Sequence, residues 1–150
     1  MVDRFELFTN TISAISHYWN KIATVEMKKY NLKGLYALYL VTLYRNPEGI
    51  TATMMCEINN KDKAEISRAL SALEGKGLVI REKVTVNSYR ALIKLTDEGM
   101  KIAKYLCERA SLIVEAASEG VSAADRENFY KVLGVIAKNL ESISNEGSVK

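Results

Sequence analysis

Residues 60–81 read NKDKAEISRALSALEGKGLVIR and contain a helix with a marked start and a marked end. Asp62 and Glu65 stand three positions apart, which is the spacing of a capping box with aspartate as the N-cap. The apolar positions that predict one buried helix face are Ile66, Leu70 and Leu73. Gly75 and Gly77 follow this periodic segment, and glycine just past a helix predicts its end.

A second short helix precedes this one, and a β-hairpin follows it. Thr51 is the predicted N-cap of the earlier helix, and residues 59–61 form a tight break between the two. Runs of strand-forming residues at 78–86 and 89–95 predict two strands, with residues 87–88 as the hairpin tip. Two short helices, a tight break and a basic hairpin predict a winged helix-turn-helix lobe.

Longer helices are predicted on both sides of this lobe. The first carries an apolar stripe, defined as Phe5, Phe8, Ile12, Ile15, Trp19 and Ile22. Its alternating spacing of three and four suits core or dimer packing of one helix on another. A further helix is predicted at 35–45, another at 96–119 and a last one after Ser122, which with Asp125 forms a capping box. The predicted fold class is therefore mainly α, with N- and C-terminal helices around a winged helix-turn-helix.

The positive charge of the chain is concentrated in this lobe. The 150 residues include 21 Lys and Arg against 18 Asp and Glu, a net charge of +3. Residues 61–94 alone carry +4, and the remainder carries −1. Such a segment favours a polyanionic partner, although a solvated helix face gives the same pattern.

Composition and motif content argue against several other classes of protein. With 48% hydrophobic and 26% charged residues, the chain has the composition of an ordinary globular domain. The apolar stretch at 34–44 is too short to span a bilayer, and the first residues lack the pattern of a signal peptide, so a cytoplasmic location is predicted. One histidine, two distant cysteines and no nucleotide-binding glycine motif predict no enzyme, metal or cofactor site.

The second helix of the lobe has a polar face suited to the major groove of double-stranded DNA. Small side chains on this face allow close approach of the backbone, and Arg68 offers a bidentate donor for a guanine or a phosphate. The hairpin adds basic and polar groups beside it. The predicted DNA-binding residues are Lys61, Lys63, Ala64, Ser67, Arg68, Ser71, Arg81, Lys83, Asn87, Tyr89 and Arg90.

Two parts of the sequence resemble the MarR family of winged helix-turn-helix transcriptional regulators. Residues 60–81 resemble the recognition helix and first wing strand of that family, and LIKLTDEG at 92–99 resembles the end of its wing and its next helix. The resemblance implies a homodimer joined through residues 1–34 and 97–150, with residues 35–96 as the DNA-binding lobe. It further implies binding to a pseudo-palindromic operator and, usually, repression of transcription.

The tip of the hairpin departs from the family pattern. The family has Asp-x-Arg there, and the matching positions in this chain are Asn87 and Tyr89. Arg90 comes one position after the family's arginine. Adjacent residues of a strand point to opposite faces of a sheet, so Arg90 is not expected to point where the family's arginine does. This departure supports an alternative interpretation, a winged-helix module for protein–protein contact with weak or lost DNA binding.

Many MarR proteins release DNA when they bind a small aromatic or lipophilic anion or when a cysteine is oxidised. His17, Tyr36 and Tyr39 are the predicted effector-binding residues, although a lone histidine and core tyrosines are also ordinary structural residues. Cys56 and Cys107 are interpreted as packing residues rather than a redox switch. DNA binding without any sensor is the third interpretation.

Overall fold

The computed structural model describes residues 3–83 and 90–147, and within these ranges it contains helices and one antiparallel strand pair. The elements in chain order are α1 (Arg4–Lys28), α2 (Tyr36–Tyr44), α3 (Ala52–Asn59), α4 (Lys63–Gly75), β1 (Val79–Lys83), β2 (Ala91–Leu95), α5 (Asp97–Ala117) and α6 (Ala123–Glu146). The predicted mainly α fold with a winged helix-turn-helix is confirmed.

The chain forms two compact units, Met1–Arg109 and Ala110–Lys150. The buried core lies in the first unit and is built from α2, α3, α4, the strand pair, the first part of α5 and Met27 near the end of α1. Its largest fully buried side chains include Tyr39, Met27 and Leu40. In the second unit, α6 has no buried residue.

The helix starts lie where local side-chain chemistry predicts them. The Thr51 hydroxyl accepts a hydrogen bond from the backbone N–H of Met54 at 3.2 Å, and the Asp62 carboxylate accepts one from Glu65 at 2.7 Å. Asn60 ends α3 with a left-handed φ of 51°, which turns the chain sharply toward α4. These caps confirm the predicted helix-turn-helix.

Of the two packing roles predicted for the apolar stripe on α1, core packing within the chain is wrong, and packing in a dimer stays a prediction. All six side chains of the stripe are 38–72% exposed, and Met27 is the one buried residue of α1. The 3–4 spacing shows that one helix face needs a partner, but it does not show that the partner belongs to the same chain. No helix in ranges 3–83 and 90–147 has the length and apolar content needed to cross a membrane.

A polar network connects α1 to α5 within the first unit. The Glu26 carboxylate, 15% exposed, accepts hydrogen bonds from Arg109 Nε at 3.0 Å and from the Tyr105 hydroxyl at 3.1 Å. Lys29 Nζ lies 3.1 Å from the same carboxylate and donates to the Tyr105 hydroxyl at 2.8 Å. Hydrogen bonds from Arg109 and Lys29 hold the pKa of Glu26 below its ordinary value of 4.5.

This network predicts a pH-dependent contribution of Glu26 to stability. A carboxylate whose pKa is lowered on folding stabilises the fold above its ordinary pKa, and this stability is lost as pH falls through the lowered pKa. We expect Glu26→Gln to lower the melting temperature at pH 7, with the difference from the wild type shrinking below about pH 4.5. The control is Glu127→Gln, whose ion pair with Lys131 is more than 70% exposed. Equal melting temperatures for both variants at pH 7 would contradict the prediction.

Candidate nucleic-acid interface

Helix α4 separates an apolar face from a polar face. Ile66, Leu70 and Leu73 are at most 1% exposed, as the sequence predicts. The predicted DNA-binding residues on this helix are all exposed: Lys63, Ala64, Ser67, Arg68 and Ser71. The core thus anchors α4 through one face and leaves a basic face with small side chains open.

The start of α4 is also held from its buried side by polar contacts. The hydroxyl of the buried Tyr39 on α2 donates to Glu65 Oε1 at 3.4 Å, and Lys61 Nζ lies 4.0 Å from the same oxygen. Burial, followed by the charge of Glu65, raises the pKa of Tyr39 to about 12. Tyr39 therefore stays protonated near neutral pH and can act as the donor. Sequence reasoning assigned Glu65 only to the capping box and missed this second role.

The strand register determines which way the basic residues of the hairpin point. Arg81 pairs with Ile93, and residues directly opposite in an antiparallel pair share one face of the sheet. Ile93 is 1% exposed, so Arg81 lies on the face that packs toward the core. From there Arg81 Nε donates to Glu74 Oε2 of α4 at 2.8 Å. Arg81 is therefore placed beside the helix rather than on the outer face of the sheet.

An open depression of about 530 Å³ is lined by Ser71, Glu74, Gly75 and Arg81, from α4 and β1. Sequence reasoning predicted Ser71 and Arg81 as site residues but missed Glu74, which it counted only among the acidic residues. Seven positions separate Glu74 from Arg81, and no local pattern joins a helix residue to a strand residue across that turn.

The remaining predicted DNA-binding residues of the hairpin lie in segment 84–89, which is outside the described residues, or next to it. Lys83 ends β1 and Arg90 precedes β2, and both are exposed. Asn87 and Tyr89 fall within 84–89, outside the described residues. Neither Lys63 nor Arg68 forms an ion pair with another residue in the described ranges. Their charges are available to an external partner.

The predicted effector residues lie in different environments. His17 is exposed on α1, where its ring lies 5.2 Å from that of Tyr18. Tyr36 and Tyr39 are 7% and 0% exposed in the core, with ring centroids 6.0 Å apart. No ring contact joins His17 to either tyrosine among the described residues.

Both cysteines are partly buried. Cys56 lies on α3 and Cys107 on α5. Burial raises the pKa of the Cys107 thiol, which lowers its thiolate fraction and its reactivity at neutral pH.

The fold and the exposed basic face of α4 define a protein of the winged helix-turn-helix class. Residues 30–87 match the sequence model of the MarR family. The matched segment carries the helix-turn-helix, and the match agrees with the resemblance of its motifs to this family.

Individual proteins are similar to this chain in sequence or in fold. The chain is 27% identical over 106 residues to the uncharacterized HTH-type transcriptional regulator YdgJ of Bacillus subtilis, a match that covers 71% of this chain and 65% of that protein. The structure superposes with a TM-score of 0.85 on a MarR family transcriptional regulator from Listeria monocytogenes complexed with 26mer DNA, at 23% identity over 100% of this chain and 99% of the other. The S. aureus MepR–DNA complex gives a TM-score of 0.79 at 19% identity, covering 89% and 97% of the two chains.

Proposed function

We propose that this protein is a homodimeric, DNA-binding transcriptional regulator of the MarR type that acts as a repressor. The observation that carries the proposal is the polar face of α4, where basic and small side chains stay exposed while the opposite face is fully buried in the core. A helix held in this way can enter the major groove without disturbing the fold. Relatives of this fold solved in complex with DNA support the same conclusion.

In the proposed binding mode, one set of residues recognises the DNA sequence and another set supplies most of the affinity. Arg68 and Ser67, in the N-terminal half of α4, contact base edges in the major groove. Lys61 and Lys63, at the start of the helix, contact phosphates, as do the basic residues of the hairpin. Base contacts select the operator, and phosphate contacts hold the protein in register on it.

Dimerisation is proposed through the helices outside the lobe, residues 1–34 and 97–150. The apolar stripe of α1 is exposed, and α6 also exposes large apolar side chains. Those of α6 are Phe129, Tyr130, Val132, Val135, Leu140 and Ile143. Large exposed apolar patches mark interaction sites, and a two-fold dimer would place two copies of α4 about one helical turn apart on DNA.

Release by a small aromatic or lipophilic anion is the proposed regulation, with His17, Tyr36 and Tyr39 as effector-binding residues. Trp19 lies two positions from His17 and provides a fluorescent reporter. Each compound of a diverse panel of aromatic carboxylates is titrated into the protein while the fluorescence emission of Trp19 is recorded. A saturable change with at least one compound supports the proposal, and no response across the panel contradicts it.

Selection of bound duplexes from a random DNA pool tests the proposed function directly. We expect a pseudo-palindrome with half-sites about one helical turn apart, and affinity that falls steeply as salt rises because condensed counterions are released. Failure to enrich any sequence, together with salt-independent or absent DNA binding, would favour a protein–protein interaction module. This second candidate function is supported by Asn87 and Tyr89, which stand where the MarR family has Asp and Arg.

A further inference from the structure

The basic lobe carries its own counter-charges, and the structure shows where they are. Residues 61–94 contain four acidic side chains, and one of them, Asp62, caps α4. Each of the other three lies within ion-pair distance of a base from the same segment. These pairs are Glu65 with Lys61 at 4.0 Å, Glu74 with Arg81 at 2.8 Å and Glu82 with Lys94 at 2.8 Å.

The Glu74–Arg81 pair differs from the other two because it lies in the open depression between α4 and β1. Its side chains are 47% and 39% exposed, so an external anion can reach the guanidinium. The other lining residues, Ser71 and Gly75, are small and leave room beside it. The depression adjoins the polar face of α4, since Ser71 belongs to both.

We propose that Glu74 competes with DNA phosphate for Arg81 and thereby limits the affinity of the protein for DNA. This inference rests on the proposed function. An exposed ion pair of this kind is weak, and a phosphate can accept two hydrogen bonds from the guanidinium where Glu74 accepts one from Arg81 Nε. When Arg81 turns to a phosphate, the Glu74 carboxylate loses its partner and remains as a negative charge beside the DNA backbone. Because the competition concerns the backbone, it lowers affinity for every DNA sequence alike.

Glu74→Gln is the variant that tests the competition. Glutamine keeps the length and shape of the side chain and removes its charge. We expect binding at low salt to become roughly three- to ten-fold tighter, both on a selected operator and on an unrelated duplex of equal length. Because the variant leaves Arg81 free to neutralise one further phosphate, the slope of log K against log salt should steepen by up to about one per subunit.

Two further variants make the result specific. Glu127→Gln removes the same charge from an exposed pair on α6 and should change neither affinity nor salt slope appreciably. Adding Arg81→Gln to Glu74→Gln should abolish the gain, because no guanidinium is left to bind the phosphate. Fluorescence anisotropy with labelled duplexes measures all four proteins, and thermal melting checks that each is folded.

The outcomes separate this inference from the proposed function. If the wild type binds DNA but Glu74→Gln binds equally or more weakly, the competition is wrong and the proposed function stands; weaker binding would mean that Glu74 orients Arg81 toward DNA. A gain that survives Arg81→Gln also overturns the competition. If the wild type binds no duplex even at low salt, the proposed function fails and the inference fails with it.

Discussion

Gly99→Ala is expected to destabilise the first unit by about 3 kcal/mol or more, the largest stability effect we expect for a single methyl group in this chain. A Cβ at position 99 would overlap the carbonyl oxygen of Leu78 and approach Leu95 Cδ2 at 3.2 Å. Backbone cannot rotate away as a side chain does, so α5 would have to move off the strand pair.

Hydrogen bonds around Gly99 oppose that movement. The Leu78 carbonyl accepts from the backbone N–H of Thr96 at 3.0 Å, and the Thr96 hydroxyl donates to the carbonyl of Gly77 at 2.6 Å. The same hydroxyl accepts from the N–H of Gly99 at 3.1 Å. Displacing α5 would break several of these bonds together.

Urea denaturation followed by circular dichroism measures the effect. Gly134→Ala is the matched control, because position 134 lies inside α6 with open space around the missing Cβ. Alanine there should be neutral or stabilising by up to about 1 kcal/mol, since it is a better helix former than glycine. Equal stabilities for the two variants would show that the close approach at Leu78 is not required.

Arg68→Ala is expected to weaken binding to the selected operator by about 1–3 kcal/mol, or roughly 5- to 150-fold. Arg68 is exposed on the polar face of α4, whereas Ala69 and Leu70 beside it are buried, so truncation removes the contact without disturbing the core. A titration of labelled operator by fluorescence anisotropy measures the loss.

Two control variants show whether Arg68→Ala weakens binding because a base contact is lost or only because one positive charge is removed. Arg4→Ala removes an equal charge from the exposed start of α1 and should leave operator affinity nearly unchanged. Arg68→Lys keeps the charge but loses the bidentate fork, so it should bind unrelated DNA like the wild type yet discriminate the operator poorly. Full operator affinity in Arg68→Ala would remove Arg68 from the interface.

Local chemistry made much of the lobe predictable. The caps at Thr51, Asp62 and Ser122 depend on side chains that accept from backbone groups three residues away, so the sequence alone places them. The buried face of α4 follows from the 3.6-residue repeat in the same way. The spacing of the apolar stripe on α1 also predicted a packing face, but it left open whether the partner is the core of the same chain or a second chain, and the structure excludes the core.

The amino-acid sequence by itself determined the winged helix-turn-helix, the exposed basic face of α4 and the location of the excess charge, because each depends on neighbours within a few positions. Only the tertiary structure decided three contacts. Glu74 accepts a hydrogen bond from Arg81, Gly99 lies against the carbonyl of Leu78, and Glu26 binds two cationic side chains and a tyrosine hydroxyl. These contacts depend on strand register and on how helices pack. Register and packing are set by the whole core at once, so no local pattern along the chain encodes them.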